Sequence, residues 1–191
     1  KTFCDFLLND RPRYNQMNVK WATPEQPVRA VKDAVWTMTN VIEELESLDH
    51  MALETFDMWG HHEVNLTEDI WQVANTLYGR QAGHYDLYTN IGDGLSRAYA
   101  ELTSERARDA AAKVIVLMSD GVPNYDEYGQ YNESGARAYA LRMARQAADE
   151  GMMIYTVSVG YQSDRPLMQE IATIGRGQEF YAAGNPEEYT Q

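Results

Sequence analysis

The sequence predicts an α/β fold in which a mainly parallel sheet lies between helices and is joined by right-handed crossovers. Three observations carry this expectation. Strand-like and helix-like segments alternate from about residue 25 to the end of the chain. The run Val114-Ile115-Val116-Leu117 is apolar, mostly β-branched and ended by Ser119-Asp120-Gly121 and Pro123, the pattern of a strand buried on both faces. A second run, residues 152–159, has the same character and stops at Gly160.

Taken in order, residues 1–23 form an N-terminal stretch with an apolar patch at 3–8 and then a loop without periodicity. The domain proper is expected over residues 24–191. Thr23 and Pro24 suit the cap and first turn of a helix. Val28, Val31, Val35, Met38, Ile42 and Leu45 recur at threes and fours, giving that helix one buried stripe flanked by Trp36. Residues 50–57 alternate, with Met51, Leu53 and Thr55 on one face and Ala52, Glu54 and Phe56 on the other. Residues 61–66 suit an edge strand hairpinned onto them. Thr67 is placed to cap a helix reaching about Tyr78, with Ile70, Val73, Ala74 and Leu77 facing inward.

Residues 83–89 read as a loop and 91–102 as a helix, with Ile91, Leu95, Ala98, Tyr99 and Leu102 on its apolar side. The strand at 113–118 is followed by a surface loop over 125–133, rich in Tyr, Gly, Asp and Asn. Residues 136–150 are strongly helical and closed by Gly151. After the strand at 152–159 come a short helix over 166–174, stopped by Gly175, and a last strand over 179–183. Asn185-Pro186-Glu187-Glu188 looks like the first turn of another helix, so the domain is expected to stop before its last helix.

Sixteen basic and 29 acidic residues give a formal charge of −13. That excludes nucleic acid as the expected partner, because phosphate recognition needs a basic face. An acidic surface suits a cation, and is equally an ordinary solubility feature. Cys4 is alone, so no intrachain disulfide forms, and it reads as a small apolar residue. No apolar run approaches the ~18 residues of a membrane span, and no signal peptide is evident. The chain opens on Lys1, as a processed or excised piece would.

The residues offer three candidate sites. Thr89 precedes a helix, and Asp120 ends the strand that follows it, so both belong at the carboxyl edge of the sheet, where ligands bind in such folds. A hydroxyl and a carboxylate make a hard oxygen site suited to Mg²⁺ rather than Zn²⁺. The competing reading is that Thr89 caps the helix at Ile91 and Asp120 shapes a turn. His61, His62, His84 and Asp86 form the second set. Adjacent histidines on a strand point to opposite faces, and surface loop histidines are the simpler account. The third is Gly92-Asp93-Gly94, part of a dinucleotide fingerprint without the buried strand that should precede it, so close helix packing is the better reading. No nucleophile is presented with a base, and no metalloprotease or phosphate-loop motif occurs.

The segments YTNIGDGL, VIVLMSDGVPN, GMMIYTVSVG and FYAAGNPEEY, together with HMALETFD and PVRAVKDAVWTMTNVIEEL, resemble the von Willebrand factor A family over about residues 24–191. Within it the chain looks most like bacterial exported members, including those of TadE/TadG-type pilus-assembly proteins. The resemblance implies a three-layer, doubly wound, Rossmann-like sheet of six strands with one antiparallel edge. It also implies a metal-ion-dependent adhesion site, with Thr89 matching the family's threonine and Asp120 its aspartate. The family's Asp-x-Ser-x-Ser loop is missing. The nearest candidate, Asp10, is followed by Pro12 and Tyr14 where hydroxyls are required.

Two explanations stay open: the first strand and its motif precede Lys1, or residues 3–9 are a degenerate first strand. The fold makes that strand central, and without it two inner sheet edges would be unpaired. Asp5 would be a poor occupant of such a buried position.

The implied function is a protein-binding or adhesion module without catalysis, in an extracytoplasmic or cell-envelope-associated bacterial protein. Thr89 and Asp120 would hold Mg²⁺, or Mn²⁺ or Ca²⁺, weakly or not at all in this chain. An acidic side chain of a partner protein would complete the coordination shell. Two rivals are an interaction domain that has lost its metal, and a metal-dependent hydrolase recruiting Asp93 or Asp126 beside Asp120.

Overall fold

The computed structural model describes residues 27–80 and 88–182. The elements run α1 (Pro27–Glu44), β1 (Met51–Phe56), β2 (Gly60–Thr67), α2 (Ile70–Tyr78) and α3 (Ile91–Leu102). They continue with β3 (Val114–Ser119), α4 (Glu133–Asp149), β4 (Met153–Val159), α5 (Arg165–Ile174) and β5 (Arg176–Ala182). Strands β3, β4 and β5 form a parallel sheet in that order, and β1 and β2 form an antiparallel pair. The β3–β4 register is unbroken from Val114 opposite Met153 to Ser119 opposite Ser158. This is the expected α/β architecture with its antiparallel edge.

The main core joins Ile91 and Leu95 of α3, Ile115 and Leu117 of β3, Ile154 of β4 and Ile171 of α5. Helix α4 turns an alanine face toward it, Ala140, Ala144 and Ala147, all fully buried. Small side chains there let the helix approach closely, which dispersion rewards. On the other side of the sheet, Val35 of α1 packs with Ala74 and Leu77 of α2, and Leu53 and Met118 join them. Helices therefore cover both faces, making three layers.

Several local expectations shift. Helix α2 is capped by Asp69, whose carboxylate accepts the Gln72 N–H, while the Thr67 hydroxyl accepts the Asp69 N–H. Helix α4 begins three residues early because Asn132 caps it, accepting the Gly135 N–H at 3.0 Å. Strand β3 is not buried on both faces: Ile115, Leu117 and Ser119 are buried, but Val114 and Val116 keep 40% and 42% of their surface. Those two valines line a cleft of about 620 Å³ between β1 and β3, along with every residue of both strands. Among the described residues β1 pairs only with β2, and β3 only with β4.

The expected strand at 3–9, the Thr23-Pro24 helix start, His84, Asp86 and the turn at 185–188 lie outside the described residues. No helix among the described residues is long and apolar enough to cross a membrane.

Candidate functional site

Strand alternation decides what the end of β3 presents. Ser119 is buried, and its hydroxyl accepts the Gly121 N–H at 3.3 Å, so the next residue, Asp120, is exposed. Its carboxylate makes no hydrogen bond among the described residues, and neither does the Thr89 hydroxyl. Both residues line the same cleft.

Two loops are tied together to bring this about. The Thr89 N–H donates to Asn124 Oδ1 at 2.9 Å, and the Asn124 N–H donates to the Thr89 carbonyl at 2.9 Å. Gly121 lies against the threonine: a Cβ on it would come within 2.9 Å of Thr89 Oγ1. The helix-cap reading of Thr89 does not hold, because Asn90 caps α3 by accepting the Asp93 N–H at 3.0 Å. Asn90 is 1% exposed and also donates to the Met58 and Asp126 carbonyls. Thr89 and the Asp120-Gly121 turn thus lie side by side at the carboxyl edge of the sheet.

The two carboxylates available to a hydrolytic mechanism are committed elsewhere. Asp126 accepts from the Tyr128 and Gln130 N–H groups, each at 3.0 Å, and from the Asn132 amide at 3.1 Å. The Gln130 N–H leads in holding its carboxyl below the usual carboxylate range; burial opposes this, and Tyr128 and Asn132 add to it. Asp93 accepts the Gly60 N–H at 2.5 Å and the Tyr139 hydroxyl at 3.3 Å, joining α3 to β2 and α4. The glycines beside it are packing devices, as expected. A Cβ on Gly92 would meet the Tyr139 ring at 2.4 Å, and one on Gly94 the Phe56 ring at 2.5 Å.

The adjacent histidines sit on β2, not on a loop. His61 Nε2 lies 2.9 Å from Asp57 Oδ1, and His62 Nδ1 lies 2.7 Å from Glu54 Oε1. Glu101 joins the second group from α3, with one ligand atom from each of Glu54, His62 and Glu101 within 4.8 Å of the others. Sequence reading missed this group because hairpin register makes Glu54 and His62 cross-strand partners. The available signals were a lone acid on the Ala52–Phe56 face and Glu101 bordering the apolar stripe of α3.

Around the Thr89–Asp120 edge the surface is aromatic. Tyr88 meets Tyr125 with the rings tilted by 45° and their centroids 4.4 Å apart, and Tyr125 meets Tyr131 edge-on at 6.1 Å. Tyr128, Tyr131 and Tyr161 are strongly exposed.

The sequence matches the family model for the von Willebrand factor type A domain over residues 22–191. No curated protein matches the chain. Among solved structures, the fold resembles an aerotolerance-related membrane protein from Bacteroides fragilis, with TM-score 0.67 and 15% identity over 85% of each chain. It resembles mussel byssus proximal thread matrix protein 1, solved with a zinc-occupied MIDAS motif, with TM-score 0.68 and 14% identity over 91% of this chain and 42% of that one. It also resembles the pilus adhesin SpaC from Lactobacillus rhamnosus GG, with TM-score 0.63 and 14% identity over 85% of this chain and 26% of that one. At these identities the likeness is one of fold.

Proposed function

The chain belongs to the von Willebrand factor type A family, and from that premise we propose that it is a non-catalytic protein-binding module acting through the carboxyl edge of its sheet. The domain spans residues 24–191, with residues 1–23 as an N-terminal extension. The observation that supports this reading is that Gly121, next to Asp120, lies against the Thr89 hydroxyl, and neither that hydroxyl nor the Asp120 carboxylate is hydrogen-bonded among the described residues.

The donor set fits a hard cation. Thr89 Oγ1 and the Asp120 carboxylate are oxygen ligands, and Gly121 leaves room beside the hydroxyl. Mg²⁺ is the preferred ion, with Mn²⁺ or Ca²⁺ as substitutes. Two protein ligands fall well short of the octahedral set that Mg²⁺ demands, so affinity is weak. When bound, the ion supplies a positive charge and a coordination position open to an acidic side chain of the partner. This chain's own residues do the rest: Asn124 fixes the Thr89 backbone, Ser119 anchors the strand end, and the exposed tyrosines offer rigid contact area. The fold likeness to a membrane protein and a pilus adhesin supports an extracytoplasmic, envelope-associated setting, including a pilus-assembly role.

Asp93 and Asp126 are each held by structural hydrogen bonds, so neither stands ready as a general base beside Asp120. The alternative is an interaction domain that works without metal. Calorimetric titration of the chain with Mg²⁺ and Mn²⁺ tests the metal-assisted reading. Weak binding that disappears in Asp120→Ala supports it, and binding unaffected by that substitution overturns it. Partner capture that survives both EDTA and Asp120→Ala identifies the metal-free alternative.

A further inference from the structure

We propose that Glu54, His62 and Glu101 form a second divalent-cation site, of the Zn²⁺ class, separate from the Thr89–Asp120 edge. It is built by the β1–β2 hairpin and the far end of α3. Glu101 lies ten residues along α3 from Ile91, which follows the Thr89 loop, a separation of about 15 Å along the helix axis.

The three residues converge without being neighbours in sequence. Glu54 and His62 face each other as cross-strand partners, and Glu101 reaches them from the helix packed on the hairpin. Their ligand atoms lie within 4.8 Å of one another. A tetrahedral ion with ligand bonds near 2.0–2.1 Å holds its donors roughly 3.4 Å apart, so modest side-chain rotation closes the site. His62, the exposed member, has the freedom to make it.

An independent observation points to a ligand. The Glu54 side chain is only 8% exposed, and its Oε2 is buried without a hydrogen-bond partner. A carboxylate oxygen left so is costly, and a cation bound by both Glu54 oxygens would relieve it.

The histidine is already oriented as a ligand. Asn65 Oδ1 lies 2.8 Å from His62 Nε2 and accepts its proton, the outer partner typical of metal-bound imidazoles. Nδ1 is thereby turned toward Glu54, and a cation would replace the proton now shared along that 2.7 Å line, releasing it to solvent. Glu101 is fixed by the Leu66 N–H at 2.7 Å and by Arg106, which donates to both of its oxygens at 2.8 and 2.5 Å. A carboxylate has about four lone-pair positions, so these three bonds leave one for a metal. Arg106 and nearby Arg97 keep the net charge of the group low and will moderate affinity. One imidazole nitrogen with two carboxylates is a borderline donor set that suits Zn²⁺ and leaves a position for water.

The test is Zn²⁺ titration of the whole chain by calorimetry in saturating Mg²⁺, with melting temperature as a second readout. Wild type should bind one Zn²⁺ and melt higher with it. His62→Ala and Glu54→Gln should each weaken binding by at least about tenfold, and Asn65→Ala by about tenfold, the usual effect of an outer partner. Asp120→Ala should leave Zn²⁺ affinity unchanged. His62 and Asn65 are exposed, so their variants fold and keep the test decisive even where Glu54→Gln does not. The proposal is overturned if wild type binds no Zn²⁺, if His62→Ala binds it as wild type does, or if Asp120→Ala removes it.

Discussion

Thr89 and Asn124 hold each other through two hydrogen bonds, backbone N–H to side-chain oxygen in one direction and backbone N–H to carbonyl in the other, both 2.9 Å. The residues are 35 positions apart, so the pair fastens the loop before α3 to the loop after β3. The Asn124 carbonyl also accepts the Asn132 N–H at 2.9 Å, which carries the linkage to the cap of α4. The loop that carries Thr89 is thus bonded to the loop that follows Asp120.

Asn124→Ala should therefore cost more than a surface substitution. It leaves the half-buried Thr89 N–H without an acceptor, a loss of about 1–2 kcal/mol. Urea unfolding should show a lowered midpoint with an unchanged slope. Hydrogen exchange at the Thr89 amide should quicken more than exchange in β4, because the defect is local.

Gly121→Ala separates the site from the fold. The new Cβ would sit 2.9 Å from Thr89 Oγ1, too close for the hydroxyl to keep its place. Gly121 is not among the positive-φ glycines, so alanine is tolerated by the backbone there. Rotation of the threonine side chain relieves the clash and turns the oxygen away. Mg²⁺ or Mn²⁺ binding should fall severalfold in calorimetry while the melting temperature changes little.

The sequence made the strand–helix order legible because each element carries its own local signal, such as the period of α2 and the Gly160 stop after β4. The places of Thr89 and Asp120 in the fold were legible for the same reason, each lying beside a readable element. Val114 and Val116 misled, since an apolar run does not reveal that one of its faces borders a cleft. Asn124, Asn132 and Asp126 could not be ranked from a Tyr/Asn/Asp-rich loop, because their importance lies in bonds to distant backbone. Glu54, His62 and Glu101 were hidden most completely. Only the hairpin register and the packing of α3 bring them together.

Acid should act on Asp126 in a defined direction. Its folded-state carboxyl titrates below the ordinary range, led by the Gln130 N–H, so the ionised form favours the folded state. That contribution is complete above the unfolded carboxylate value, about pH 4, and is lost as pH falls through the folded value. Asp126→Asn should lower stability at pH 7, since its amide faces the Asn132 amide donor. Between pH 5 and 3 the variant should lose less further stability than wild type, as measured by urea unfolding at each pH.

The Gly-Asp-Gly segment makes the last prediction, and it concerns packing. Gly92 and Gly94 are both buried, facing Tyr139 of α4 and Phe56 of β1 from different sides of α3. Gly92→Ala drives a methyl into the Tyr139 ring and strains the bond from its hydroxyl to Asp93. Overpacking of this kind costs about 1–3 kcal/mol, which exceeds the gain in helix propensity of about 1 kcal/mol. Tyr139→Leu should lose stability alone, yet the double variant should be more stable than the sum of the singles implies. A coupling of at least about 0.5 kcal/mol in that cycle marks the contact as direct. Strict additivity would place the strain of Gly92→Ala somewhere other than Tyr139.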